Sequence, residues 1–345
     1  MTDAVNPASS DSSLRVDRVD LAADADVAQW TRVRNEVGVA LLGDDAQLTS
    51  VEIVRAMAQR SDQVRELYLA RDAGQVVGAG SFLLPGGPGD TDAEVWVGVL
   101  PEGRRGGVGS AVVAAMEARA RELGCSRVVL DQTSPREDGL PGSQFCVAMG
   151  CRQSQLVLGL RLDLPVPAGT LTPLQERATS ASDAAYEILT AWDEIPADWL
   201  DDRAHLASEL STEAPDAAID HDGEHWDAER VRTLWLSRLA GGGRAVESVA
   251  IDRATGQLVA FSDLVAYASM PHVASQSDTV VLDEHRGHRL GLAVKLANLR
   301  TLAEELPDIT AVRTWTAIDN THMLAINREL GFRVVEWTRM WVKEL

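Results

Sequence analysis

Basic residues are scarce in this chain. Its 345 residues hold 32 Lys and Arg against 52 Asp and Glu, a formal net charge of −20. Phosphate-rich surfaces are held by grouped cations, so duplex nucleic acid and anionic membranes are excluded as partners. Two readings of the acidity stay open: attraction of a cationic, amine-bearing substrate, and plain solubility. No apolar run reaches the roughly 18–20 residues that cross a bilayer. Residues 1–11 lack the basic-then-apolar order of a secretory signal. Residues 1–13, rich in Ser, Ala, Asn and Asp, read as a disordered lead-in to a cytoplasmic protein. Cysteine is sparse too. Cys125, Cys146 and Cys151 form an odd set without CxxC spacing, which supports neither a disulfide framework nor a zinc site, and no metal is expected.

What is present is an ordinary globular composition, 45% hydrophobic and 24% charged, in a length that suits two domains. The segment carrying Pro165, Pro167 and Pro173 has no helical periodicity and reads as a connection. The expected units are residues 14–164, a linker at 165–176, and residues 177–345. Both units run through the same order of elements. In the first, helices over 25–37 and 51–60 precede a hairpin turning at Asp72-Ala73-Gly74, a strand over 94–100, a glycine-rich turn, a helix over 109–123 and a strand over 127–131. In the second, helices over 198–210 and 227–240 precede a hairpin at Ala254-Thr255-Gly256 and a short strand over 279–282. A turn at 285–291, a helix over 292–305, a strand over 311–315, a helix over 322–330 and a last strand over 333–342 complete it.

The chemistry sits in the turns. In the first, Val97-Gly98-Val99-Leu100 is a strand end, Pro101 stops it, and Gly103-Arg104-Arg105-Gly106-Gly107-Val108-Gly109 leads into a strong helix former. The first amides of a helix lack internal partners and sit at the positive end of its dipole. Glycines let a phosphate approach them, and Arg104 and Arg105 add charge. The GxGxxG spacing of a dinucleotide fold is absent, as is the Gly-Lys-Ser/Thr ending of a P-loop.

Arg104-x-x-Gly107-x-Gly109 resembles the Gln/Arg-x-x-Gly-x-Gly/Ala pyrophosphate loop of the GNAT N-acetyltransferase superfamily, and Arg286-x-x-Arg289-x-Gly291 resembles it with Arg289 in place of a glycine. The run from Thr314 through Asn320 to Leu330-Gly331-Phe332 is similar to the family's strand 5, asparagine-bearing loop, helix 4 and terminal Leu-Gly-Phe. Matching signals in both halves imply an α/β fold of two tandem GNAT-like domains, each a mixed, mainly antiparallel central sheet flanked by helices, in a mycothiol synthase-like arrangement.

The resemblance implies a short acyl-CoA, acetyl-CoA first, as co-substrate. In the first half it would be held by Val97, Val99, Arg104, Arg105, Gly106, Gly107, Val108, Gly109 and Ser110. In the second half the matching residues are Thr279, Val281, Arg286, Gly287, His288, Arg289, Leu290, Gly291 and Asn320. Asn320 also suits a helix N-cap, and His285 and His288 suit either phosphate contacts or a solvated turn.

The family takes the amine proton with a carboxylate or histidine near strand 4. Asp92 and Glu94 stand there in the first half, His272 and Asp278 in the second; Glu94, His272 and Asp278 are the expected catalytic groups. Where many relatives carry an acidic tyrosine, this chain has Cys146 and Asn327. The function implied is acetyl transfer to a primary amine of a small molecule by a monomer or homodimer. A non-catalytic acyl-CoA-binding regulator and a protein lysine acetyltransferase are the alternatives.

Overall fold

The structure is a computed structural model and describes residues 13–86, 90–139, 141–182, 184–213 and 226–345. The lead-in expected at the N-terminus falls, up to residue 12, outside them.

The first half runs β1 (Arg15–Arg18), α1 (Asp24–Leu42), α2 (Val51–Ala58), β2 (Val64–Asp72), β3 (Gln75–Leu84), β4 (Asp92–Val99), α3 (Val108–Glu122), β5 (Arg127–Ser134), α4 (Gly142–Ala148) and β6 (Arg152–Asp163). Helix α5 (Ala168–Ser182) follows. The second half repeats the plan as β7 (Tyr186–Trp192), α6 (Leu200–Glu213), α7 (Ala228–Ala240), β8 (Gly243–Asp252), β9 (Leu258–Tyr267), β10 (Val273–Val281), α8 (Leu290–Glu305), β11 (Ala311–Ala317), α9 (Thr321–Leu330) and β12 (Arg333–Glu344).

The β2–β3 turn shows local chemistry at work. Ala73 and Gly74 take φ of 47° and 82°, the left-handed pair a tight two-residue hairpin demands. Helices α2, α7 and α9 begin at Ser50, Asp227 and Asn320, whose side chains accept from Ile53 N, Arg230 N and Met323 N.

The strands form one twelve-stranded sheet in the order β1-β2-β3-β4-β5-β12-β6-β11-β10-β9-β8-β7. Among the described residues only β4–β5 and β10–β11 pair in parallel; every other neighbour is antiparallel. The terminal strands are exchanged. β12, from the end of the chain, lies against β5 of the first half, and β6 lies against β11 of the second. Between them β12 and β6 pair with each other, so the two half-sheets fuse into one.

Leu156, Leu158, Leu160 and Leu162 alternate along β6, and a helix starts at Ala168 within the predicted 165–176 linker. The prolines punctuate without preventing it: the Pro167 carbonyl accepts from Thr170 N and Leu171 N, and Leu174 and Ala178 bury against the second-half core. Strand β7 and helix α4 stand where no element was expected, and β10 starts at Val273, earlier than the short strand predicted.

Helices cover both faces. In the first half α3 packs its Val108, Val112, Val113 and Met116 on one face, while α1 packs Val27, Trp30 and Val33 on the other. In the second half α8 lies under α5 and is buried on nearly every side, from Leu290 to Leu299. That burial includes Lys295, whose ammonium is pushed down to about 7 by loss of solvent, with Asp263 opposing the shift. On the opposite face Arg203 pairs with Glu247 at 2.9 Å and Arg238 with Asp263 at 2.6 Å, all buried.

Two outcomes follow from this architecture. Residues 1–164 expressed alone will lack β12, leaving β5 and both sides of β6 unpaired. This fragment will aggregate or elute as an oligomer, whereas co-expression with residues 165–345 restores a soluble complex on size-exclusion chromatography. For Lys295, the unfolded chain holds more protons than the folded one between pH 7 and the ordinary lysine range, so this group makes stability rise with pH across that window. Lys295→Met removes the penalty: its melting temperature should exceed the parent's by several degrees at pH 7, with the gap closing by about pH 10.

Candidate active site

Each half opens a gap in the sheet at its parallel pair. β4 and β5 stay in register from Asp92–Arg127 to Val95–Leu130 and then diverge. β10 and β11 do the same after Ser275–Arg313. Leu100 N donates to Val77 O, so the antiparallel alternation turns Leu100, Gly98 and Trp96 toward β3. The backbone groups of Val97 and Val99 therefore face the gap. Leu282 N bonds Val259 O in the same way, which turns Val281 toward the second gap. There β10 carries a bulge between Gln276 and Thr279.

The two glycine turns have one backbone. After a short 3₁₀ turn, Arg104 is extended, Arg105 and Gly107 take φ of 65° and 80°, and α3 begins. In the second half Arg286 is extended, Gly287 and Arg289 take φ of 84° and 56°, and α8 begins. Arginine and glycine have traded the two left-handed positions. Arg289 thus sits where the family pattern has glycine without changing the path, at a cost of about 1–2 kcal/mol for a residue with a Cβ. Neither Gly107 nor Arg289 caps its helix with a side chain, and neither first turn holds an acidic residue. The amides of Val108, Gly109 and Ser110, like those of Leu290 and Gly291, start their helices without a capping group, unlike α2, α7 and α9.

Around the loops the halves differ. Arg104 Nε donates to Val99 O at 3.1 Å, tying the arginine to the gap. Phe145 on α4 lies against Gly109, where a Cβ would meet its ring at 3.3 Å, and Ile326 on α9 takes that place beside Gly291. In the second half Arg286 pairs with Asp283, Tyr186 bonds His285 Nδ1 at 3.0 Å, and the His288 ring packs on Tyr186. Asn320 serves as the N-cap of α9, its Oδ1 accepting from Met323 N at 3.0 Å.

Behind the first loop a cleft of about 610 Å³ passes through the gap from one face of the sheet to the other. On the α3 side it is lined by Arg104, Pro141, Phe145 and Cys146; on the α1 side by Arg34, Val37, Trp96 and Leu41. Its wall is completed by the second half: Trp315 of β11 and Glu336, Thr338 and Met340 of the exchanged β12. A hollow of about 480 Å³ beside β1 and β2 lies away from both loops.

The structure redistributes the expected catalytic groups. Asp92 is fully buried in an ion pair with Arg127. Glu94 pairs across to Val129 in the closed part of the ladder and does not line the cleft; its field acts on Arg65. His272 stands before the first residue of β10, the end remote from the loop, and its Nδ1 contacts Asp308 O at 3.0 Å, a loop tether. Asp278 sits in the β10 bulge, with its amide donating to Asp263 Oδ1 at 3.2 Å and its charge acting on Arg238.

The carboxylates that reach the first cleft are Asp131, one residue past the last β5 position paired with β4, and Glu336. Sequence reading missed both, and Arg34. The signal for Asp131 was its place at the strand end; Glu336 had none, because its position depends on the strand exchange. Glu336 accepts from Arg313 at 2.9 Å and from Trp315 Nε1. Burial pushes the Cys146 thiol up to about 12. Asn327 is buried and donates to Thr316 Oγ1 at 3.1 Å. Among the described residues no group of His, Cys, Asp and Glu is arranged to hold a metal ion, and no helix is long and apolar enough to cross a membrane.

Comparison with known proteins agrees with this geometry. Residues 30–139 match the profile of the Acetyltransferase (GNAT) family. No curated protein sequence matches the chain. Among solved structures, a tandem GNAT protein from the clavulanic acid biosynthesis pathway superposes with a TM-score of 0.78 at 25% identity, covering 96% of this chain and 98% of that one. A GCN5-related N-acetyltransferase from Sphaerobacter thermophilus gives 0.63 at 17% identity, with 96% of each chain covered. A GCN5-related glucosamine N-acetyltransferase region of a fungal multi-domain GH3 β-N-acetylglucosaminidase gives 0.66 at 17% identity, covering 99% of this chain and 39% of that one. The profile in its first half and the tandem neighbour along its whole length support a tandem GNAT acetyltransferase.

Proposed function

We propose that the protein is an acyl-CoA-dependent N-acyltransferase that moves an acetyl group to the primary amine of a small molecule, and that its first half does the chemistry. One observation carries this reading: a cleft runs through the sheet with an uncapped helix N-terminus at one mouth and two carboxylates inside. The chain's residues fit the co-substrate. The amides of Val108, Gly109 and Ser110 with Arg104 and Arg105 suit a pyrophosphate, and the gap beside Val97 and Val99 suits an extended arm.

Bound acyl-CoA would supply the thioester, whose carbonyl carbon bonds the amine nitrogen as the C–S bond breaks and the sulfur leaves as a thiolate. The Val99 backbone lies on the edge of β4 that faces this gap, so its amide is the donor to the developing oxyanion. Asp131, exposed in the cleft, takes the amine proton through water. Glu336 is less suited, since Arg313 and Trp315 both hold its charge. Cys146 does not serve as the acid. A thiol at about 12 is a weaker acid, by roughly three units, than the thiol it would protonate. That absence favours a second reading, a regulator that binds acyl-CoA without turnover.

Calorimetry with acetyl-CoA, followed by turnover on a panel of primary amines, tests both readings. Binding should be lost in Gly107→Trp if the first loop is used and weakened in Gly291→Trp if the second is. Asp131→Asn should lower kcat by about 10²-fold or more with acetyl-CoA affinity unchanged, while Cys146→Ser keeps kcat within a few-fold. Binding without turnover on any amine would favour the regulator. A folded protein that ignores millimolar acetyl-CoA would end the transferase reading.

A further inference from the structure

The first-half cleft holds a cation that the acyl-transfer chemistry does not use. Arg34 projects from α1 on the face of the sheet opposite the α3 loop, and its guanidinium carbon lies 4.3 Å from the centre of the Trp96 ring. The platform is built for it. Gly98 has no side chain where a Cβ would strike the Trp96 ring at 2.5 Å, so the indole lies along β4. Trp30 braces Trp96 edge-on at 5.9 Å and is fixed by donating Nε1–H to Gly80 O at 2.7 Å.

Stacking uses the face of a guanidinium and leaves its in-plane N–H donors free. Among the described residues none accepts a hydrogen bond from Arg34. Asp131 and Glu336 favour its charge from across the cleft, and burial opposes it. The neighbouring cations are committed elsewhere: Arg313 to Glu336 and Asp45, Arg161 to Asp45 and Asp163, Arg104 to Val99 O.

We infer that Arg34 is the specificity-determining residue of the acceptor site, and that the acceptor is an amino-acid-like molecule whose carboxylate binds Arg34 while its primary amine lies toward Asp131. The inference rests on the acyltransferase reading for the amine but not for the carboxylate. A planar carboxylate matches the guanidinium fork in two parallel bonds, and the stacked tryptophan holds the fork in place. Asp131 then has the charge to attract the acceptor's ammonium before it is deprotonated. An acceptor with an amine alone would leave the in-plane donors of Arg34 without an acceptor; one with a carboxylate alone would have nothing to acylate.

The test uses the full chain and does not need turnover. N-acetylglycine, N-acetyl-β-alanine and N-acetyl-4-aminobutyrate, each beside its own carboxamide, are titrated by calorimetry, with acetyl-CoA titrated into the same preparations. At least one acid should bind the parent protein tenfold or more tightly than its amide. Arg34→Met should erase that preference, Arg34→Lys should keep part of it, and acetyl-CoA affinity should stay within a few-fold in both. Equal binding of acids and amides, no binding of either at millimolar concentration, or a preference that survives Arg34→Met overturns the inference. If acetyl-CoA binds and amines are acetylated in that case, the transferase reading stands and the carboxylate site falls. If the Arg34-dependent preference is present while acetyl-CoA is ignored, the reverse holds.

Discussion

Between β5 and β11 lie two strands that have each crossed from their own half, and the ladder joining β12 to β6 is the contact on which the rest of the molecule depends. A half with its own terminal strand would close its sheet by itself and present one continuous wall. Here the wall beside the first gap is made by the last strand of the chain. The pairing shifts register between Val334 and Glu336, and that bulge aims the glutamate inward. Gly159 opposite has no side chain because a Cβ there would lie 2.1 Å from Glu336 Cγ. Arg313, buried on β11, then neutralises the carboxylate at 2.9 Å. A buried pair of this kind gains little net stability over apolar packing, but losing one partner leaves an uncompensated charge. Its value is in position: it fixes a second-half residue in a first-half cleft.

From the same plan the halves have diverged on opposite faces. Their phosphate-type turns keep one backbone, with arginine and glycine exchanged between the left-handed positions. On the α1 side the first half has an open tryptophan and a stacked arginine. The second half fills the corresponding space with Arg203–Glu247 and Arg238–Asp263, and Arg203 stacks on Phe261 at 3.2 Å. Those second-half charges are matched by internal partners, whereas among the described residues none accepts a hydrogen bond from the stacked Arg34. That contrast, more than the quality of either loop motif, separates the two halves chemically.

Local chemistry was legible in the sequence and long-range pairing was not. The hairpins turning at Ala73-Gly74 and Thr255-Gly256, the α3 and α8 starts, and the Asn320 cap follow from residues within a few positions of each other, and they stand where the sequence placed them. Strand β6 was hidden although Leu156 to Leu162 alternate cleanly, because the prolines after it look like the edge of a linker. Glu94 stands in the closed part of its ladder, and His272 stands before the first residue of β10, away from the loop. Which residues line an opening depends on where two strands part, and no single segment records that. Glu336 is the extreme case, more than 200 residues from Asp131 in the sequence and across one cleft from it in the fold.

The missing proton donor fits this geometry once the two halves of acyl transfer are weighed separately. A thiol ionises near pH 8.5, so a departing thiolate is stable enough to leave without a proton at neutral pH. An alkyl ammonium is a weaker acid by about two units, comparable to lysine, and must lose its proton before it can attack. On the proposed reading, the step that needs the protein is therefore removal of a proton from the amine, the role proposed for Asp131 in the cleft. Burying Cys146 where the family pattern has a tyrosine costs little under these terms, because the leaving thiolate needs no proton donor. On that reading the cleft sets its carboxylate where the amine must lose charge and leaves the positive end of α3 to the pyrophosphate.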